Sequence, residues 1–176
     1  MVLLGTVAWF GYSPETGKLL GAITLLVTLL EQERRDHFKL STWDEKLMKE
    51  FLNELSCNSD PIIYLREHDM GGSFPTEKFF TPLASWTEKW KGEQYRFKKK
   101  SLEQKRKAFY DALDSFTWNI SDHTYPHHNV PHMSSMEYDD CFNSPEKDEI
   151  RKKLNESRRK AYKAYIQMIE EIRKNS

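Results

Sequence analysis

Apolar and polar residues follow two different patterns along this chain. From Leu19 to Leu30, twelve consecutive residues carry no charge, and the run ends abruptly in Glu31-Gln-Glu-Arg-Arg-Asp36. Farther on, apolar residues instead return every three or four positions, the repeat of a helix that buries one face. Trp43, Leu47, Met48, Phe51, Leu52 and Leu55 form the first such stripe, and Thr42 with Glu45 has the spacing of a capping box. Cys57-Asn-Ser-Asp-Pro61 breaks it. Ile62-Ile-Tyr-Leu65 is too short to assign by itself, a helical turn being one option, and Met70-Gly-Gly-Ser73 reads as a tight turn. Phe79, Phe80, Leu83, Trp86 and Trp90 mark another helix, with Pro82 near its start. Ser101 and Gln104 open a longer one, whose face carries Leu102, Phe109, Ala112, Leu113, Phe116 and Ile120. The last begins at Ser144-Pro145-Glu146 and presents Ile150, Leu154, Tyr162, Tyr165, Ile169 and Ile172. The pattern predicts an all-α chain. An N-terminal apolar helix and its basic exit fill residues 1–40, and a small helical bundle fills 41–176, with a His-rich loop at 121–143. The helix at Trp43 is placed to run on from the apolar one as a single rod.

The apolar helix has strong start signals. Ser13 precedes Pro14 and Glu15, the order of an N-cap, a first-turn proline and a first-turn acid. At helical spacing Gly17, Gly21, Thr24 and Thr28 share one face, while Leu19, Leu20, Ile23, Leu26, Val27 and Leu30 cover the rest. Gly17 and Gly21 form a small-xxx-small pair, which lets helix backbones approach closely in lipid. Such a stripe fits self-association or the lining of a pore; it also fits packing against the chain's own later helices. Arg34, Arg35 and Lys39 after the run give a membrane helix whose basic side faces the cytoplasm. Length limits this reading. Twelve helical residues rise about 18 Å, against a hydrocarbon core of about 30 Å. The options are a short or oligomeric membrane helix, an interfacial one with Trp9, Phe10 and Tyr12 at headgroup level, or a core helix. A secretory signal is not expected, because no small-x-small cleavage site follows the apolar run.

Composition narrows the function classes. With 27 basic and 27 acidic residues among 176, the formal net charge is zero, and a strongly basic nucleic-acid binder is not indicated. Two cysteines, Cys57 and Cys141, make no disulfide framework and point to a reducing compartment. The basic runs Lys98-Lys-Lys100, Lys105-Arg-Lys107, Arg151-Lys-Lys153 and Arg158-Arg-Lys160 are interleaved with Glu and read as solvated helix faces. Four of six histidines, His123, His127, His128 and His132, fall in one Pro-containing stretch. Their spacing matches no helix-borne metal site, so a solvated connecting loop is expected and no metal or cofactor. No phosphate-binding Gly-rich loop, His-Glu-x-x-His or Gly-x-Ser-x-Gly is present. The Arg followed four to six residues later by His of helical HEPN ribonucleases is also missing, since Arg34–His37 and Arg66–His68 are too close. No enzyme is expected. Gly5-Thr-Val-Ala-Trp-Phe10 resembles the first strand of a cold-shock domain, but Leu20 and Ala22 stand where base-stacking aromatics belong.

Tyr64-Leu-Arg-Glu-His-Asp-Met-Gly-Gly-Ser-Phe74 carries a family resemblance. It is similar to the Leu-Arg-x-His-Asp-Phe-Gly-Gly-Ser-Phe segment of small bacterial membrane-anchored helical proteins, with Met70 in place of the usual Phe. The order of apolar helix, basic exit, motif, Trp-bearing helix, Pro-rich loop and terminal helix also resembles that group. Within it, the length and layout resemble the accessory membrane proteins of type VI-B CRISPR systems most. The resemblance implies a HEPN-like bundle and a homo-oligomer that opens a membrane pore. Its partners would be membrane lipid and, functionally, an RNA-guided CRISPR effector nuclease. It places the chain in the bacterial inner membrane, with its helical body in the cytoplasm and no direct binding of nucleic acid. The alternative is a soluble HEPN-like RNA-binding or ribonuclease domain. Read physically, Arg66, Glu67, His68 and Asp69 are ionisable groups beside a tight turn in which Gly71 and Gly72 permit φ > 0 and close backbone approach. They are expected to lock that turn to a neighbouring helix; the functional alternative is a subunit contact or sensing site.

Overall fold

The computed structural model describes residue 21 and residues 23–29, 40–126, 132–136 and 145–176. Two compact units divide the chain, Met1–Leu40 and Ser41–Ser176. In the first, Gly21 and residues 23–29 are helical and exposed. Among the described residues no helix is long and apolar enough to cross a membrane. Leu40 and Ser41 are not helical, so the expected continuous rod does not form. Ser41 has extended backbone angles and its Oγ accepts from the Asp44 amide at 3.1 Å, which makes it the N-cap of α1, Thr42–Glu54. The expected Thr42–Glu45 box is therefore displaced by one residue, because Thr42 is already inside the helix.

After the Cys57–Ser59 break, α2 runs over Asp60–Glu67 with Pro61 in its first turn. The Met70–Ser73 turn leads into β1, Phe74–Pro75, and a single π-type turn, Thr76–Phe80, passes directly into α3, Thr81–Trp90. A short 3-10 turn, Glu93–Tyr95, precedes α4, Lys100–His123, which starts one residue before the expected Ser101. β2, Tyr125–Pro126, and β3, Met133–Ser135, come next, and α5, Pro145–Asn175, ends the chain. The unit is mostly helical but not all-α. An antiparallel sheet of order β1-β3-β2 pairs Phe74 with Ser134 and Tyr125 with Ser135. Strands of two or three residues have too few positions to show an alternating pattern, so the sequence reads them as loop. Both outer strands end in proline, Pro75 and Pro126, at sheet positions where a missing N–H is tolerated.

The core is aromatic. Phe51 of α1 meets Trp86 and Trp90 of α3 and Phe109 of α4 edge-on, at centroid distances of 5.6–5.8 Å, and stacks on Tyr165 of α5 at 6.2 Å. Trp86 and Trp90 stack at 5.0 Å. Each such ring buries on the order of 150–250 Å² and dominates the packing energy. Leu47, Leu83, Leu113, Phe116, Leu154, Met168 and Ile172 close the remaining space. The buried Asp44 reaches across this layer to accept from the Lys98 and Lys99 amides, at 2.7 and 3.2 Å. It serves the entrance to α4, whose own N-cap, Lys99, has no oxygen to offer.

Candidate functional site

The Tyr64–Phe74 motif ends α2 and turns the chain into β1, and α5 lies against it. Along one face of α5, residues 151, 155, 158 and 165 recur at helical spacing, and each holds a piece of backbone or turn. Arg151 grips the Asp69 carboxylate with two bonds, Nε to Oδ1 at 3.0 Å and Nη2 to Oδ2 at 2.9 Å. Asn155 accepts from the Met70 amide at 3.2 Å and donates Nδ2 to Asp69 at 3.3 Å. Arg158, itself buried, donates Nη1 to the carbonyls of Leu65 and Arg66 at 2.6 and 2.7 Å, the unsatisfied acceptors at the end of α2. Tyr165 donates its hydroxyl to Leu55 O, just past α1, at 2.8 Å. From its N- toward its C-terminal part, α5 thus meets the motif turn, the end of α2 and the end of α1 in reverse chain order.

Inside the turn, the Gly71 amide donates to Asp69 Oδ1 at 2.7 Å. No glycine among the described residues has a positive φ, which corrects that part of the expectation. Close approach is the reason that holds for Gly71: a Cβ there would lie 2.3 Å from Arg151 Nε. At Gly72 a Cβ would meet nothing nearer than Asp69 O at 3.8 Å, so that position does not demand glycine for space. Arg151 in the first place, helped by the Gly71 amide and Asn155, holds the Asp69 carboxyl well below the usual carboxylate range. His68 is half-buried beside Tyr64, Phe74 and Phe79, at ring distances of 5.3, 6.3 and 6.4 Å. Burial first, then the Arg158 charge, push its pKa down against the opposing pull of Asp69 and Gly72. His68 Nε2 and Arg158 Nε are both buried without a hydrogen-bond partner. Arg66 pairs with Glu67 on the surface, with the Tyr162 hydroxyl of α5 as a lesser partner.

The structure thus gathers His68, Asp69 and Gly71 at α5, turns the Arg66 side chain to Glu67 while its carbonyl accepts from Arg158, and keeps Gly72 in the turn. Asn155, Arg151 and Arg158 were missed as partners. They sit among the basic runs that read as solvated, and their targets lie more than 80 positions earlier in the chain. Of the N-terminal stripe, Gly21 is helical with open space where a Cβ would be. Thr24 and Thr28 are helical and exposed, and Thr28 Oγ1 donates to Thr24 O at 2.5 Å. Ile23, Leu25, Leu26, Val27 and Leu29 are all between 50% and 65% exposed. Gly17, Leu19, Leu20 and Leu30 lie outside the described residues. The His-rich stretch is partly built into the sheet rather than a free loop. His123 closes α4 and lies 3.2 Å from Lys153 Nζ. His132 adopts φ 65°, gives its carbonyl to the Thr76 amide and sits 2.8 Å from Glu77. His127, His128 and Cys141 lie outside the described residues. Among those described, no cluster of His, Cys, Asp or Glu has the arrangement of a metal site. Comparison with known protein families, with curated proteins and with solved structures finds no match to this chain.

Proposed function

We propose that this chain is a membrane-associated homo-oligomer that acts by assembly and not by covalent chemistry. The observation that carries the reading is the exposed apolar helical surface of the first unit, Ile23, Leu25, Leu26, Val27 and Leu29. Five large aliphatic side chains within residues 23–29, on a unit separate from the aromatic core, call for lipid or another protein surface. A run of about 18 Å is too short to span alone, so association among copies, or seating at the interface, accompanies it. By resemblance, the proposal extends to a HEPN-like body in the cytoplasm and a membrane pore. On that reading the pore permeabilises the bacterial inner membrane and strengthens antiviral defence by an RNA-guided CRISPR effector. The alternative, a soluble RNA-binding or ribonuclease bundle, draws less support. Arg151, Arg158 and Arg106 are engaged within the body by Asp69, by the end of α2 and by Glu103 with Trp90 O.

Fractionation and a mass measurement in detergent test the proposal. The full chain is expected in the membrane fraction as a species of several copies. Gly21→Leu is expected to reduce that mass. Among the described residues nothing lies within 4 Å of a Cβ at Gly21, so a change in mass is read as contact with another copy. A monomer that remains soluble without detergent would overturn the reading.

A further inference from the structure

Trp118 stands on the outer face of α4 and is 72% exposed, the most exposed large apolar side chain among the described residues of the second unit. An indole left in water is unusual for a protein whose other tryptophans in this unit are buried or half-buried. Its helix neighbours define its chemistry. Asp111, Asp114 and Asp122 lie seven and four residues before it and four after it, so all four residues share one exposed stripe. Asp122 sits in the last turn of α4, where the helix dipole disfavours an acid. At Tyr110, after burial, the carboxylates of Asp114 and Asp111, with Glu88 of α3, push the hydroxyl up against the Arg106 charge.

The complementary surface is on α5. Lys152, Arg159 and Lys163 recur at the same seven- and four-residue steps and are exposed. Among the described residues no ion pair engages these three, nor Asp111 or Asp114. Both stripes cover eleven helical steps, about 17 Å. We infer that the Asp111–Trp118–Asp122 stripe of α4 is a docking surface for the Lys152–Arg159–Lys163 stripe on α5 of a second copy of this chain. The contact is head-to-tail, because two different surfaces meet, and each copy keeps one stripe free for the next. The carboxylates pair with the cations, and the indole face takes an Arg or Lys head group by cation–π attraction. The inference rests on the proposed homo-oligomer and names its seam in the body.

Charge reversal in the full chain, with mass measured by light scattering in detergent, tests it. Asp111→Lys/Asp114→Lys/Asp122→Lys and Lys152→Glu/Arg159→Glu/Lys163→Glu are each expected to lose the high-mass species. The chain carrying all six changes is expected to regain it. Trp118→Ala, a milder change, is expected to raise the concentration for half-assembly about tenfold. All the positions are exposed, and circular dichroism checks that each variant remains helical. If either triple variant assembles like the unmodified chain, or the six-fold variant fails to recover, the seam is refuted while the oligomer stands. A Lys152→Glu/Arg159→Glu/Lys163→Glu chain that keeps its mass but no longer binds phosphatidylglycerol vesicles would assign the basic stripe to lipid and equally refute the seam. An unmodified chain that is monomeric in detergent overturns the seam and the oligomer together.

Discussion

His68 shows how a few atoms decide acid sensitivity. Its ring packs between aromatic side chains, and its Nε2 has no partner. Protonation would place a second positive charge near the buried Arg158. The pKa is accordingly pushed below the ordinary histidine value of 6.5. The unfolded chain then binds the proton more readily, so stability that is present above pH 6.5 is lost as pH falls through the folded-state value. Asp69 acts in the same direction at lower pH, because its depressed carboxyl must also be protonated before the Arg151 grip releases. Denaturant unfolding at pH 7.5 and at pH 5 is expected to show a drop in the unmodified chain and a smaller drop in His68→Phe. An equal drop in both would mean that His68 does not govern this range.

At the scale of elements, α5 holds what the rest of the second unit leaves unsatisfied. Arg158→Met keeps the aliphatic stem but gives up both bonds to the end of α2, where buried carbonyls then lack donors. The expected loss is about 3 kcal/mol, measured by chemical unfolding, since bonds from a charged donor are the stronger kind and their acceptors stay buried. Arg158→Lys is expected to restore part of it, because both bonds leave one nitrogen, Nη1, and an ammonium has N–H donors enough for both carbonyls. The helices of this unit were legible in the sequence because Phe51, Trp86, Phe109 and Tyr165 each belong to a stripe of apolar residues at helical spacing, and large apolar residues at that period have one reasonable fate. The motif was legible as a turn fixed to a helix. Which helix was not, because Arg151 and Arg158 look like members of charge runs, and burial of a single arginine within a run leaves no periodic trace. Asp44 was hidden for the same reason: an acid in a first turn reads as a dipole partner, whereas its oxygens serve amides 54 and 55 residues away.

For the whole molecule, the division at Leu40–Ser41 predicts how the two units respond to one change. Leu26 is 62% exposed and belongs to the first unit, so Leu26→Arg introduces a charge with access to water. The unfolding free energy of the second unit is expected to change by no more than about 0.5 kcal/mol, the range of ordinary surface substitutions. The membrane-bound fraction, in contrast, is expected to fall, because an arginine at mid-helix costs about 2.5–3.5 kcal/mol on insertion scales. Global unfolding of the variant would instead place Leu26 in the core. The small sheet bears on the same question of how copies meet. Its outer strands are two residues long, and each contains a proline, Pro75 or Pro126. An incoming strand finds almost no ladder to extend, and at each proline there is no N–H to offer. Growth by strand addition, the usual route from an open sheet edge to fibrous aggregates, is thereby blocked on both sides. The sheet of the second unit therefore offers a poor template for edge-to-edge polymerisation, and contacts between copies are left to side-chain surfaces.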